Sequence, residues 1–306
     1  MTTEFQSWLG DHLFTPSELD AYQLCPFRFY AQAYLKLTPE VRRDVELTPP
    51  EIGSLVHRVL ERVLRVGAIH ELPLQILDEE LKKFRKDRPH LSQVLAEFQR
   101  KRIVRTLENF IDDLKEERAT SSGFRPKFFE WSFGRETPPL EIADGRGGAI
   151  RIRGRIDRID VDEARKQFLV IDYKTGSTKI TGNQIKSGEA LQLPLYILAV
   201  QSLLLPDYEP IGAVYHQLSD LSKKDGLLHA ERIPSFLDLH PRSSSIVPAA
   251  QWEPVMEKIL DGVRDIVGKI RDEAFASHEN ACETYCPFQD ICRLRNLQQT
   301  PAGANE

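Results

Sequence analysis

A short apolar run, Phe168 to Tyr173, constrains the fold of this chain more than any other feature of its sequence. Such a run is typical of a strand that is buried on both faces of a sheet. Side chains alternate along a strand, so Asp172 and Lys174 leave the same face as Val170. A carboxylate and an ammonium group on a buried strand cost free energy unless they serve a function or pair with each other.

A second aspartate, Asp157, ends an earlier predicted strand that could pair with this one. Two carboxylates that converge from neighbouring strands form a hard-oxygen site suited to Mg²⁺, and here a lysine lies beside them. Such a set can support metal-assisted hydrolysis of a phosphodiester. The other interpretation of Asp172 and Lys174 is a buried ion pair with no further role, since short motifs alone have many false positives. The apolar residues of the earlier strand change parity next to Asp157, which predicts a bulge or a strand end there.

Composition places the chain among ordinary globular proteins. It has 306 residues, of which 41% are hydrophobic and 28% are charged, so it can bury one large core or two small ones. No apolar run approaches the ~18 residues of a membrane span, and no basic segment leads into an apolar one at the N-terminus. We therefore expect no membrane association and a cytoplasmic location.

The net charge of −5 does not favour nucleic-acid binding by the protein as a whole. A polyanion would have to meet a local basic surface. Arg151, Arg153, Arg155 and Arg158 provide a candidate surface beside Asp157.

The cysteines form the second strong pattern. The chain has four, Cys25, Cys282, Cys286 and Cys292, and the last three form a Cys-x3-Cys-x5-Cys triplet. Four thiolates fill either a Cys₄ zinc site or a four-iron, four-sulfur (4Fe–4S) cluster. Disulfides are not expected in the cytosol, and four unrelated buried thiols remain the plain alternative. A shared site would fasten the two ends of the chain together, and we call these four residues the clasp.

Helices and strands follow from periodicity and capping signals. A capping box at Thr15 and Glu18 opens a helix that should break before Pro26. Strands are predicted from residue 127 to 173 and over 211–218, with a loop over 219–245. A helix is predicted over 50–66, and His57 lies at the edge of its apolar stripe. Most of 73–118 is predicted to be helical, with a break at Pro89. Further helices are predicted over 187–205, where Gln192 and Tyr196 project together, and over 252–275.

Five segments of the chain, in this order, resemble RecB-type nucleases of the PD-(D/E)XK superfamily. They are residues 15–30, 53–61 (Gly-Ser-Leu-Val-His-Arg-Val-Leu-Glu), 154–160 (Gly-Arg-Ile-Asp-Arg-Ile-Asp), 172–176 (Asp-Tyr-Lys-Thr-Gly) and 192–196 (Gln-Leu-Pro-Leu-Tyr). The cysteines are similar to those of the iron–sulfur branch of this family, the branch of AddB-type nuclease domains. The resemblance covers residues 15 to 295.

The resemblance implies a restriction-endonuclease-like α/β fold and a role for each motif residue. The fold would be one domain over 1–306, with a central mixed sheet, helices on both faces and a helical insertion over about 58–118. The resemblance implies that Mg²⁺ or Mn²⁺ is bound by His57, Asp157, Asp172 and the backbone carbonyl of Tyr173. It also implies that Lys174 orients or activates water and that Gln192 and Tyr196 position DNA and the active-site side chains. The clasp (Cys25, Cys282, Cys286 and Cys292) would hold a 4Fe–4S cluster, with zinc as the alternative.

The chain contains no phosphate-binding Gly-x4-Gly-Lys-[Ser/Thr] loop. The nearest match, Gly262 to Gly268 and Lys269, has five intervening residues and continues with Ile270, so it cannot cradle phosphates in that manner. We therefore expect a nuclease that stands alone, is a fragment, or borrows a helicase motor from another chain.

Two classes of function are consistent with the sequence. The first is a metal-dependent DNA nuclease, acting as an exonuclease on single-stranded ends in recombination or repair, with Arg153, Arg155 and Arg158 contacting DNA. The second is a catalytically silent DNA-binding or scaffold module of a helicase–nuclease complex. Asp157, Asp172 and Lys174 favour the enzyme, because a scaffold has no physical need for all three.

Overall fold

The computed structural model describes residues 3–38, 47–66, 72–87, 92–120, 123–176, 179–234, 236, 237, 239–276, 286, 288, 291 and 292. Pro89 and Cys282 lie outside the described residues. In the part of the chain that is described, no helix is both long enough and apolar enough to cross a membrane.

A six-stranded mixed sheet forms the centre of the fold. Its strands, in spatial order, are β1 (Arg125–Phe133), β4 (Gly154–Asp162), β5 (Gln167–Lys174), β6 (Glu209–Gln217), β7 (Gly226–His229) and β8 (Ile246–Val247). The β5–β6 and β7–β8 pairs are parallel and the others are antiparallel. A separate antiparallel hairpin consists of β2 (Leu140–Ala143) and β3 (Ala149–Ile152). The predicted α/β fold with a central mixed sheet is confirmed.

Helices cover both faces of the sheet. They are α1 (Thr3–Asp11), α2 (Pro16–Leu24), α3 (Pro26–Phe29), α4 (Pro49–Val66), α5 (Leu72–Asp87), α6 (Gln93–Thr120), α7 (Gly182–Ser187), α8 (Gln192–Ala199) and α9 (Ala249–Arg271), with π-helical turns over Tyr30–Tyr34 and Val200–Leu204. The helical segment predicted over 58–118 comprises the end of α4, α5 and α6. The predicted capping box opens α2, where the Thr15 hydroxyl accepts from the Glu18 N–H and the Glu18 carboxylate accepts from the Thr15 N–H.

The central strand β5 divides the hydrophobic core into two layers. Phe168 and Val170 face the layer that contains α2, α8 and α9, whereas Leu169 and Ile171 face the layer that contains α4 and α6. All four side chains are fully buried. The strand predicted from the apolar run is therefore present and buried on both faces, with alternate side chains entering opposite layers.

Three elements differ from the sequence-based prediction. The helix predicted over 187–205 begins only at Gln192, as α8. Ser187 is instead the last residue of the preceding helix α7, which Gly188 terminates in the left-handed conformation with φ of +88°. The segment predicted as a loop over 219–245 contains the short strand β7, whose four residues are buried. The glycines Gly262 and Gly268 lie within α9, so the segment that resembles a phosphate-binding loop is a helix.

The strand irregularity predicted beside Asp157 is present, although the strand does not end there. Strand β4 continues through Asp157, but its pairing with β5 stops at Arg158 and Ile171. Opposite Asp157, residue Glu130 of β1 has φ of +50°. The β1–β4 register itself shifts further along, between Pro126 and Phe128. The two central strands therefore separate at Asp157 and leave room for side chains between them.

Candidate active site and metal centre

The candidate site lies at the carboxyl end of β5, where β4 and β5 separate. One oxygen of Asp157 accepts a hydrogen bond from the backbone N–H of Tyr173 at 2.8 Å. The carboxylate thus replaces the backbone acceptor that continued strand pairing would have supplied. This contact fixes Asp157 beside the strand that carries Asp172, as the sequence predicts for two converging carboxylates.

A chain of polar contacts joins β5 to α8. Lys174 Nζ lies 2.7 Å from Asp172 Oδ2 and donates to Gln192 Oε1 at 2.9 Å. Gln192 Nε2 donates to Asp172 Oδ1 at 2.8 Å and lies 3.3 Å from the hydroxyl of Tyr196. The ammonium group also lies 4.8 Å from the centre of the Tyr215 ring. Gln192 therefore holds the carboxylate and the ammonium group together, and the predicted i, i+4 pairing of Gln192 with Tyr196 is observed.

His57 reaches the same end of the sheet from α4. Its Nδ1 atom lies 3.1 Å from Asp157 Oδ1. Burial alone would lower the pKa of His57, but the hydrogen bond to Asp157 and the charges of Asp157 and Asp172 outweigh it and raise the pKa to about 8. The predicted metal ligands His57 and Asp157 therefore touch directly, and the imidazole carries a positive charge at neutral pH in this structure.

Glu130 belongs to the site and was missed by the sequence analysis. Ligand atoms of His57, Glu130 and Asp157 all lie within 4.8 Å of one another. Burial and the charge of Asp157 raise the pKa of Glu130 to about 7, while Arg155 acts in the opposite direction. The available signal was a lone carboxylate in the largely aromatic segment Phe128 to Phe133, a weaker signal than the continuous apolar run that contains Asp172.

The donor set fits a divalent cation. Burial raises the pKa of Asp172 to about 6, the Asp157 charge adds to the rise, and Lys174 opposes it. Burial and the charge of Asp157 thus hold back the ionisation of two carboxyl groups, Asp172 and Glu130, and a bound cation would favour their ionised forms. Oxygen and imidazole ligands beside an open pocket of about 540 Å³ suit Mg²⁺ or Mn²⁺.

Helix α2 supports the first turn of α8 from outside the site. Asp20 Oδ1 accepts a hydrogen bond from the backbone N–H of Leu191 at 2.9 Å, and Leu191 immediately precedes Gln192. Gln23, one turn further along α2, donates to the carbonyl of Gly188 at 2.9 Å. The role of Asp20 cannot be predicted from the sequence, because nothing in the local pattern connects it with a helix N-terminus so distant along the chain.

The arginines do not form one basic surface. Arg155 is exposed and lines the active-site pocket, where it pairs with Glu130. Arg153 is partly buried, and its charge acts on Glu18 of α2 instead. The prediction that Arg158 belongs to an exposed basic surface is wrong.

Arg158 is 1% exposed because it is part of a buried ion cluster. Its guanidinium group binds both oxygens of Asp160 at 2.6 Å and Glu117 Oε2 at 3.0 Å. A guanidinium group buried in this way is stabilised by its carboxylate partners and is not free to contact a phosphate. Since the same contacts occupy the carboxylate of Asp160, Asp157 is the aspartate of β4 that belongs to the candidate metal site.

The clasp is described in part. Cys25 lies between α2 and α3, Cys286 is partly buried and Cys292 is buried. The Tyr22 hydroxyl donates to the carbonyl of Ala274 at 2.7 Å, so α2 contacts the segment that leads from α9 towards the cysteine triplet. Among the described residues, Cys25, Cys286 and Cys292 do not form a group of ligand atoms within 4.8 Å of one another, so a shared site for metal or cluster stays a prediction.

Comparison with known proteins agrees with the geometry. The family model described as "PD-(D/E)XK nuclease superfamily" matches residues 13–293. The chain belongs to this superfamily. The superfamily match spans every described motif of the site, from α2 through His57, Asp157, Asp172 and Lys174 to Tyr196.

Similar full-length proteins are much longer than this chain. An ATP-dependent helicase/deoxyribonuclease subunit of Thermoanaerobacter sp. (strain X514) is 26% identical over 345 residues, which cover 92% of this chain and 30% of that protein. The protein of the same name from Symbiobacterium thermophilum is 35% identical over 234 residues, which cover 69% of this chain and 20% of that protein. The chain thus spans less than a third of the length of these superfamily relatives.

Proposed function

We propose that the protein is a metal-dependent deoxyribonuclease that hydrolyses phosphodiester bonds. The observation that carries this proposal is the meeting of His57, Asp157, Asp172 and Lys174 at the carboxyl end of β5. His57 and Asp157 line the open pocket, and the Asp172–Lys174 pair lies close enough for the charges of His57 and Asp157 to act on Asp172. If Asp172 and Lys174 formed only a structural ion pair, they would need neither the hydrogen bonds of Gln192 to both partners nor the second carboxylate, Asp157, beside them.

Mg²⁺ or Mn²⁺ would be held by His57, Asp157, Asp172 and the carbonyl of Tyr173, with Glu130 as a further oxygen donor. When bound, the cation supplies charge that neutralises the phosphate and favours ionisation of an attacking water. For His57 to act as a ligand, its imidazole would have to lose a proton, and if it ligated through Nδ1 the cation would replace the hydrogen bond to Asp157.

The remaining site residues position the substrate. Asp172 and Gln192 hold Lys174 at the carboxyl end of β5, where its ammonium group is proposed to orient the water and stabilise charge that develops on the phosphate. Gln192 and Tyr196 keep Asp172 and Lys174 in one arrangement and can contact the DNA strand. Arg155 and Arg153 are proposed to contact the DNA backbone, Arg155 at the pocket itself.

We infer a single-stranded DNA end as substrate and a helicase as partner. The relatives are named as subunits of an ATP-dependent helicase/deoxyribonuclease, and this chain lacks a phosphate-binding loop of its own. A helicase that separates duplex DNA would deliver single strands to the pocket during recombination or repair. A DNA substrate also favours a cytoplasmic location.

The clasp is proposed to hold a 4Fe–4S cluster, with a structural zinc ion as the alternative. The hydrogen bond of Tyr22 to Ala274 supports this proposal, since it joins the helix before Cys25 to the segment after α9, eight residues ahead of Cys282 in the sequence. None of the described cysteines lines the active-site pocket, so the proposed role of the clasp is to stabilise the fold.

Degradation of end-labelled single-stranded DNA tests the nuclease proposal. Cleavage is expected with Mg²⁺ or Mn²⁺ and not with EDTA. Asp172→Ala and Lys174→Ala should each reduce cleavage by at least about a hundredfold, because each removes charge stabilisation worth several kcal/mol. Lys258→Ala, which removes an exposed lysine of α9, is the matched control and should cut like the unaltered protein.

Three measurements make the outcome decisive. Melting temperatures should show that both active-site variants remain folded, and DNA binding should persist in Lys174→Ala because one charge is a small part of a phosphate-contacting surface. Near-normal cleavage by either folded variant would refute the assigned site. DNA binding without cleavage by the unaltered protein would indicate the scaffold function instead.

A further inference from the structure

A second, smaller pocket adjoins the active site on the side of α4 and α6. It has a volume of about 130 Å³ and lies at the carboxyl ends of the parallel strands β5 and β6. Its floor is aliphatic and consists of Ile52 and Val56 of α4, Ile103 of α6 and Leu218 after β6. We call it the α4–α6 pocket. An aliphatic floor of this size suits one face of a planar ring and offers nothing to a hydrated ion.

The rim of the α4–α6 pocket is polar. It carries the hydroxyl groups of Thr106, Thr175 and Ser219 and the guanidinium group of Arg102. Hydroxyl groups donate and accept, so they can meet any polar edge of a ring. Arg102 is exposed, and none of the acidic side chains among the described residues pairs with it. An exposed cation at the rim of an apolar pocket favours a ligand that has a ring and an adjacent negative charge.

The described residues that line the pocket offer no free amide that could read the edge of a base. Gln99 is among them, but its side chain accepts from the N–H of Leu47 at 3.0 Å and donates to the carbonyl of the same residue at 2.8 Å. Recognition by the floor and by adaptable hydroxyl groups would therefore tolerate any base, since every base presents a flat face.

One wall separates the α4–α6 pocket from the active site. Thr175 directly follows Lys174, and a Cβ atom placed on Gly53 would lie only 3.0 Å from Thr175 Oγ1. Gly53 lines the active-site pocket and Thr175 lines the α4–α6 pocket. The absence of a side chain at Gly53 thus lets α4 approach β5 closely and keeps the two pockets adjacent.

We propose that the α4–α6 pocket accepts one unstacked nucleobase of the DNA strand whose phosphate is cleaved at the Asp157, Asp172 and Lys174 site. This inference rests on the proposed nuclease function and adds a base-binding subsite to it. Arg102 contacts the phosphate that flanks the inserted base. The subsite fixes the strand relative to the active site without selecting its sequence, as an enzyme that degrades strands of any sequence requires.

A scan with abasic residues tests this subsite. Single-stranded oligonucleotides each carry one abasic residue, moved stepwise along the strand, and the cleavage products are resolved at single-nucleotide resolution with Mn²⁺. In the unaltered protein, cleavage should fall by about tenfold at bonds that lie one constant distance from the abasic residue, because the pocket is then empty. Cleavage at other bonds should be unchanged.

A side chain that fills the α4–α6 pocket should abolish this loss of cleavage at a constant distance from the abasic residue. Thr106→Phe places a ring in the pocket from α6, and Ser219→Tyr does so from the exposed rim, where a larger side chain does not disturb the core. In either variant, oligonucleotides with and without the abasic residue should be cut with the same pattern. Arg102→Ala should weaken DNA binding more than Arg105→Ala, which removes an equal charge from an exposed position outside the pocket.

The outcomes separate this inference from the nuclease proposal. The base-binding subsite would be overturned if an abasic residue lowered cleavage equally at all bonds. It would also be overturned if the position-dependent loss of cleavage persisted in both Thr106→Phe and Ser219→Tyr. In either case the nuclease assignment would stand. Failure of the unaltered protein to cut any strand would overturn both.

Discussion

At the scale of single residues, the site holds three carboxyl groups and three cationic groups. Asp157, Asp172 and Glu130 lie close to Lys174, Arg155 and a protonated His57. The raised pKa values of Asp172 and Glu130, about 6 and about 7, follow from burial and from the charge of Asp157. A divalent cation would favour the ionised carboxylates, so cation binding would offset the free-energy cost of burying them.

The pKa of His57 predicts a pH dependence of stability in EDTA. The hydrogen bond and charge of Asp157 raise the folded-state pKa of His57 to about 8, above the unfolded value of about 6.5. The stabilising effect is therefore complete below pH 6.5 and is lost as the pH rises through 8. We expect the unaltered protein to lose about 1–2 kcal/mol of stability across this window through His57. His57→Gln should not show that loss.

Denaturant unfolding at several pH values in EDTA measures this effect, and NMR titration of the imidazole gives the pKa directly. An imidazole that titrates near 6.5 would mean that the contact with Asp157 does not form in solution. His240, which is not near the pocket, provides an internal reference resonance from the same spectra.

The structure brings together most of the side chains that the sequence proposes for the site, and the departures at Glu130 and Arg158 have physical reasons. Asp172 and Lys174 stood out because a charged pair interrupts a buried strand. Glu130 did not, because its strand is only partly buried and its entry into the site depends on a positive φ that the sequence does not reveal. Arg158 was misplaced because its partner Glu117 comes from α6, and sequence spacing cannot show that contact.

At the scale of secondary-structure elements, α2 has two functions in one short helix. Its last residues lead into Cys25, and its side chains Asp20 and Gln23 hold the loop between α7 and α8. Helix α8 has no side-chain cap of its own at Leu191. Asp20 thus accepts a hydrogen bond from the first turn of the helix that carries Gln192, and through it α2, the helix that precedes Cys25, contacts α8.

Replacing Asp20 tests this link. Asp20→Ala leaves the N–H of Leu191 without its acceptor, which should cost about 0.5–2 kcal/mol of stability, as for other N-terminal caps. Gln192 should then be less well held, and kcat should fall about tenfold with KM for DNA unchanged. Asp20→Asn keeps an oxygen acceptor and should retain most of the rate. The measurements are steady-state cleavage kinetics and thermal unfolding.

Gln23→Ala is the matched control, because it removes the neighbouring hydrogen bond to the carbonyl of Gly188 and leaves the hydrogen bond of Leu191 intact. It should leave kcat close to that of the unaltered protein. If Asp20→Asn is as slow as Asp20→Ala, the charge of Asp20, and not its hydrogen bond, is what the active site requires.

The elements that could be predicted are those with a strong periodic pattern. Helix α4 was predicted almost to the residue from its apolar stripe, and β5 from its continuous apolar run. Strand β7 was missed because it is only four residues long, Gly226–His229, and lies within a polar segment. It is a strand because Gly226 allows close approach to β6, where a Cβ would lie 2.3 Å from the carbonyl oxygen of Ala213.

At the scale of the whole molecule, the two ends of the chain pack against each other beside α2. The ring of Phe275 contacts the rings of Phe29 and Tyr30, with centroids 6.3 Å and 4.8 Å apart, and the Tyr22 hydroxyl binds the carbonyl of Ala274. These contacts join the helices that surround Cys25 to the chain beyond α9. That the whole chain, 1–306, forms one domain stays a prediction.

The last prediction concerns the clasp. If Cys25, Cys282, Cys286 and Cys292 share one cluster, protein purified without oxygen should be brown and contain about four irons per chain. The site does not exist in the unfolded chain, so cluster binding stabilises the fold, and it closes a loop of nearly the full chain length. Replacing any one of the four by alanine should therefore lower iron content and melting temperature together.

Tyr22→Phe separates the cluster from ordinary packing between the two ends. It removes only the hydrogen bond to Ala274, so it should lower stability by about 1 kcal/mol while the iron content stays the same. Colourless protein with one tightly bound zinc would replace the cluster by a zinc site and leave the nuclease site unaffected. Full stability and full iron content in Cys25→Ala would contradict the clasp, because the N-terminal thiolate would then hold nothing.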